Sequence, residues 1–113
     1  MTPNEFVSRL KTECRDAAVE DCIALYKSPP GRKPDQSLVE ISKWFNALSE
    51  QDRGMLLKVM SDVADSTLFG VLAVLDGART IEEQGEKSVF HLSAHKAVVE
   101  SVLCPGPHDL HDL

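Results

Sequence analysis

Leu68-Phe69-Gly70-Val71-Leu72-Ala73-Val74-Leu75 is the longest nearly apolar run in this chain of 113 residues, and its reading decides the fold. The run falls short of the roughly 20 residues needed to span a bilayer. Apolar side chains on every side of a helix describe one that is buried all round, so the run is expected to be the central helix of a core. Gly70 costs that helix up to ~1 kcal/mol relative to alanine, and its missing Cβ admits a close neighbour. Asp76-Gly77 ends it, with Gly77 as the C-cap. On the upstream side, Asp65 or Ser66 is placed to cap it. Ala64-Asp65-Ser66-Thr67 therefore reads as a break from the preceding helix, the rival being one kinked rod. That preceding helix is capped by Ser49, carries Glu50 and Asp52 in its first turn, and shows Met55, Leu56, Val59, Met60, Val63 and Ala64 on its apolar face.

Further upstream, Ser37 and Glu40 form a capping-box pair, with Asp35 as a rival cap. They open a helix from about Leu38 to Leu48. Leu38, Ile41, Phe45 and Leu48 repeat at helical spacing with Trp44 beside them, so Trp44 and Phe45 read most simply as core. The Pro/Gly loop 28–36 holds three prolines and a glycine, which stop any helix, together with the small basic island Arg32-Lys33. The first helix begins with Thr2 as N-cap, Pro3 as first helical residue and Glu5 as the return partner, and runs to about Tyr26 or Lys27. At about 100° per residue, Phe6, Val7, Leu10, Cys14, Ala17, Ala18, Ala24 and Leu25 share one stripe. Asp21 falls inside it. A carboxylate there is either solvated where the helix leaves the core or partly buried at a pocket.

Downstream of Gly77 the period changes. Arg79 to Lys87 is a polar connection with a short edge strand as an option. Ser88–Ala94 and Ala97–Leu103 pair as a β-hairpin, with His95 and Lys96 turning the chain and the valines favouring strand. A helix over Ala97–Leu103 is the rival, because the same residues also sit at helical spacing. A C-terminal tail, 105–113, closes the chain. The expected fold is mainly α (α+β): a single domain over 1–113, with a four-helix core and a small C-terminal β-hairpin.

Eighteen acidic residues against twelve basic ones give a net charge of −6. Phosphate neutralisation carries most nucleic-acid affinity, so generic nucleic-acid binding is excluded, while a basic partner is favoured. Met1 leads into polar residues, so no secretory signal is expected, and the location is expected to be cytoplasmic. The three cysteines, Cys14, Cys22 and Cys104, make neither a disulfide framework nor a CxxC pair, and read as small buried hydrophobes. Asp65 and Asp76 would lie roughly 16 Å apart on one straight helix, too far to work as a pair on one glycosidic bond. No hydrolase elbow, zinc-protease or phosphate-loop motif occurs, and no cofactor is expected. The tail pattern His108-Asp109-Leu110-His111-Asp112-Leu113 sets imidazoles three residues apart, each followed by a carboxylate. His108, His111 and Asp112 are accordingly the candidate metal ligands, with His91 or Asp76 as possible completing groups. A tail that is merely docked or frayed is the plainer reading.

The stretch from Leu68 to Arg79, together with the closing Leu110-His111-Asp112-Leu113, resembles a group of small, uncharacterised bacterial proteins. What the resemblance implies is a mainly helical fold, a short β-hairpin near the end and a bacterial cytoplasmic setting. Its motifs are structural, so it implies no activity and transfers no site residue.

The function expected from these residues is that of a small acidic protein-binding module, of the kind by which an immunity protein or antitoxin neutralises a basic partner. Asp21, Trp44, Phe45, Asp62 and Asp65 are its candidate contacts. The partner is another protein or a second copy of the chain, with no membrane involved. The alternatives are a homo-oligomeric structural protein and a small metal-binding protein or enzyme.

Overall fold

The computed structural model describes residues 1–113 as three helical rods, a hairpin and a docked tail. The first rod comprises α1 (Pro3–Leu10), a π-helical segment (Lys11–Asp16) and α2 (Ala17–Lys27), with helical backbone angles at both junctions. Its start follows the expected chemistry. The Glu5 amide donates to Thr2 Oγ1 at 3.1 Å, and the Thr2 amide donates to the Glu5 carboxylate at 3.2 Å. The π segment was not foreseen, and it changes which residues face inward. Its wider turn lags behind the phase of an α-helix, so a stripe computed at constant pitch is wrong beyond it. Val19 becomes buried and Cys22, Ile23 and Tyr26 half-buried, while Cys14, Ala18, Ala24 and Leu25 are exposed. Asp21 is exposed for the same reason.

Helix α3 (Gln36–Ala47) starts two residues before the expected boundary, with Asp35 at the cap position. The Ser37–Glu40 box does not form; Glu40 instead accepts from the Gln36 side chain at 3.4 Å. The third rod, α4 (Glu50–Asp76), is a single helix of 27 residues where two were expected, so the core is built from three rods and not four. Ser49 caps it by accepting from the Asp52 amide at 3.1 Å, and Gly77 ends it at φ 79°. The expected break at 64–67 is absent because its polar side chains are satisfied without leaving the helix. Thr67 Oγ1 donates to the Val63 carbonyl at 2.8 Å, a bond made within a helical turn. Asp65 pairs with Arg15 of the first rod.

The two long rods run antiparallel. Val7 meets Leu72 near one end, Arg15 meets Asp65 in the middle, and Tyr26, Phe45 and Arg53 cluster at the other end. Strands β1 (Leu92–Lys96) and β2 (Val99–Cys104) form the expected hairpin, antiparallel, with His95 opposite Glu100 and Lys96 opposite Val99. Its turn is Ala97-Val98, with Ala97 at φ 55°, so His95 and Lys96 belong to the strand. Residues 79–83 form no strand; Glu82 organises that connection by accepting from the Ser88 amide at 2.7 Å and the Ser88 hydroxyl at 3.1 Å. Overall, 59% of the chain is helical.

The main core, Val7, Leu72, Cys104 and Leu110, lies where α1, the end of α4, the hairpin and the tail meet. A second cluster around Phe45 closes the far end. Phe45 is buried against Tyr26 and under the Arg53 guanidinium, 5.0 Å from the ring centroid. Trp44 is not part of it. Helix α3 packs on α2 through Ser42 and Phe45, and Trp44, about 100° round the helix, is left 54% exposed. The run Leu68–Leu75 is likewise not buried all round. Leu72 and Ala73 are inside, but Phe69 and Val71 are about half exposed, because no fourth helix exists to cover them. Gly70 does accept a close neighbour, the Arg79 guanidinium, which would lie 2.6 Å from a Cβ at that position. The radius of gyration is 18.5 Å, against about 13 Å for a compact chain of this length. The molecule is an open layer of helices with a small core at each end.

Candidate functional site

Two places bring polar side chains together. One is the tail clasp. Residues Leu110–Asp112 form a 3₁₀ turn that lies against the end of α4, and the tail is docked. Leu110 is fully buried, and Lys11 holds the last residue by donating from Nζ to the Leu113 carbonyl at 3.0 Å. The organising group is Asp76, whose side chain is 2% exposed. One oxygen of its carboxylate accepts from the His111 amide at 2.8 Å and lies 2.6 Å from His111 Nδ1. The Leu110 amide also donates to the carboxylate. Phe69 packs edge-on to the imidazole, 5.4 Å between centroids.

Burial by itself would raise the Asp76 carboxyl, but the two amides and the imidazole outweigh it and hold the group below its ordinary range. His111 moves up, chiefly through its bond to Asp76, against a smaller opposing effect of burial. The signs set a stability window. The raised histidine stabilises the fold fully below its ordinary pKa, and that contribution is lost as pH rises through the folded value. The lowered carboxyl stabilises above its ordinary pKa, and its contribution is lost as pH falls through the folded value. The clasp is therefore firmest between about pH 4 and 6.5. Thermal denaturation is expected to show a maximum there, and His111→Asn is expected to flatten the decline on the alkaline side. An unchanged alkaline limb in that variant would refute the assignment.

Of the metal candidates, His111 and Asp112 come together, with Asp112 Oδ1 3.6 Å from His111 Nε2. Asp109 joins them, each of the three offering a donor atom within 4.8 Å of the others, whereas His108 is exposed and outside the group. His91 is exposed as well. Asp76 is occupied by its three donors and orients the ring through Nδ1, leaving Nε2 as the free nitrogen. Docking of the tail accounts for this whole arrangement. Asp65 and Asp76 share α4, so they stand too far apart to act on one bond. Cys104 is the expected small buried hydrophobe, its thiol pushed up by burial, while Cys14 is exposed and Cys22 half-buried.

The other place is a groove between the two long rods, about 490 Å³ in volume. It brings Asp62 and Asp65 of α4 together with Asp16 and Glu20 of the first rod, around a single cation, Arg15. Arg15 is already engaged, donating from Nε to Asp16 at 2.8 Å and from Nη1 to Asp65 at 2.9 Å. Glu20 and Asp62 carry no ion pair. Val19 and Leu57 supply an apolar lining. Asp62 and Asp65 were legible from the sequence as surface carboxylates. Asp16, Glu20 and Arg15 were not, because their facing depends on the π segment. Its only local hint is the cluster of polar residues over 11–16 in an otherwise amphipathic helix. Asp21, Trp44 and Phe45 do not line the groove.

Comparisons with protein families, with curated proteins and with solved structures return no match in any of the three. The architecture implied by the resemblance to small bacterial proteins, helices followed by a two-stranded hairpin, is present in the chain.

Proposed function

We propose that the protein is a non-catalytic, acidic binding module that takes a basic segment of another protein into the groove between the first rod and α4. The observation that supports this best is the ring of four carboxylates, Asp16, Glu20, Asp62 and Asp65, around a groove whose one guanidinium is already paired. A lysine or arginine entering there meets unpaired carboxylates at Glu20 and Asp62. Its methylene stem lies against Val19 and Leu57. The overall charge of −6 adds long-range attraction, which speeds the encounter. In a bacterial cytoplasm, an immunity or antitoxin-type protein would use such a groove to cover the basic surface of its target.

The test is an NMR titration with an arginine-rich peptide at low and high salt. Shifts are expected around Asp16–Glu20 and Leu57–Asp65 and are expected to weaken as salt rises. Glu20→Lys, an exposed change that leaves the core intact, is expected to weaken binding about tenfold, equivalent to about 1.4 kcal/mol. Shifts spread evenly over every acidic surface, or an unaffected Glu20→Lys variant, would reject the reading.

A further inference from the structure

We propose that the outer face of α4, centred on Val59, is the two-fold interface of a homodimer in which two copies of this chain cross antiparallel. This face is separate from the apolar lining of the acidic groove.

Met55, Val59 and Val63 recur every four residues along α4 and are 58%, 52% and 61% exposed. Such spacing places them in one row along the helix. The row points away from the ridge of Met60, Ala64, Leu68 and Leu72, which packs inward on the first rod. Nothing within the chain covers it. Three large apolar side chains in one row, in the first half of a 27-residue helix, form a seam of the kind one helix offers another.

The surface area says how large a partner is missing. The chain exposes 8414 Å², against about 6,100 Å² for a compact monomer of 12.4 kDa. The excess of about 2,300 Å² per chain, spread over the whole molecule, is more than the roughly 800 Å² per partner that a standard interface buries. A pair of antiparallel helices open on one side is also half of a four-helix arrangement, and a second copy completes it.

Charge identifies the second copy as the occupant. Lys58 and Asp62 flank the row on the same side, four residues apart, and neither forms an ion pair within the chain. Where two identical helices cross antiparallel about a two-fold axis, the same flank meets itself in reverse order. With Val59 on the axis, Lys58 of each copy lies about 3 Å along the helix from Asp62 of the other, within reach of its long side chain, giving two opposite-charge pairs beside an apolar seam. Met55 faces Val63 across the axis, and Val59 faces its own equivalent. A foreign partner would not need a flank that is complementary to itself.

The experiment is velocity sedimentation of the purified full chain at micromolar concentration. The expected mass is twice 12.4 kDa. Val59→Glu, at an exposed position, is expected to sediment as a monomer with unchanged far-UV helicity. Lys58→Asp and Asp62→Lys are each expected to weaken the dimer about tenfold by opposing like charges, and the double exchange to restore it. A monomeric wild type, a Val59→Glu variant that still dimerises, or a double exchange that fails to restore association would each overturn the proposal. Asp62 borders both surfaces, so the two readings are told apart by Val59→Glu, which touches only the seam, and Glu20→Lys, which touches only the groove on the other rod.

Discussion

Replacing Leu110 with alanine is expected to cost about 2–5 kcal/mol, a large part of the total stability of a domain this size. Leu110 is fully buried, in a core whose other members are Val7, Leu72 and Cys104. Removing its isobutyl group deletes contacts to α1, α4 and the hairpin together, and so small a core has few side chains able to collapse into the cavity. The expected readout is a lower denaturant midpoint with the slope preserved. Amide exchange is expected to accelerate in β2 and in the first turns of α1, while the Phe45 cluster at the far end keeps its protection. Uniform acceleration over the whole chain would show that the two ends unfold as one unit. A loss below about 1 kcal/mol would show that the tail is not part of the core.

The second large effect is expected at Asp76. In Asp76→Ala, the buried amides of Leu110 and His111 lose their acceptor and the imidazole loses its counter-charge. Leaving a buried donor without its acceptor costs about 1–3 kcal/mol, because the group stays desolvated and unpaired. The pH maximum of stability is also expected to vanish, since both titrating partners act through this one carboxylate. Asp76 holds the turn that carries Leu110, so the two substitutions remove the same docking. The double variant is accordingly expected to lose less than the sum of the single losses. Strict additivity in equilibrium denaturation would mean that the clasp and the core act separately.

Much of the fold was legible because its signals are local. Thr2, Pro3 and Glu5 mark the start of the first rod, Ser49 the start of α4 and Gly77 its end, each acting over three or four residues. The loop 28–36 separates the first rod from α3 through its prolines. The hairpin was legible from the valines of β2, although its turn lies at Ala97-Val98, two residues later than the basic pair that marked it. The break expected at Ala64-Asp65-Ser66-Thr67 illustrates where local signals fail. Ser, Thr and Asp favour caps when nothing else satisfies them. Here Thr67 bonds back along its own helix and Asp65 finds Arg15, so the helix continues.

The candidate sites were legible as residue types but not as an arrangement. Asp62 and Asp65 stood out as surface carboxylates; that Asp16 and Glu20 share their groove follows from contacts between distant parts of the chain. In the tail, the His-Asp repeat marked His108, His111 and Asp112, with Asp76 only as a possible completing group, whereas Asp76, 35 positions away from His111, is the organising residue and His108 stands outside the group. Trp44 was read as core and is exposed, whereas Asp21 is solvated, one of the two readings its place on the stripe allowed. Periodicity gives the angle between residues on one helix, but it says nothing of which direction the fold covers.

By itself, the sequence determined the composition of the helices, their caps and breakers, the presence of a terminal hairpin and an acidic surface, because those depend on residues within a few positions of one another. Only the tertiary structure decided which faces are covered. A π turn in the first rod resets the phase of everything after it, Asp76 reaches across to the tail, and the absence of a fourth helix leaves one side of α4 open. Burial is settled by which surfaces meet, and those meetings are made between residues that the chain holds far apart.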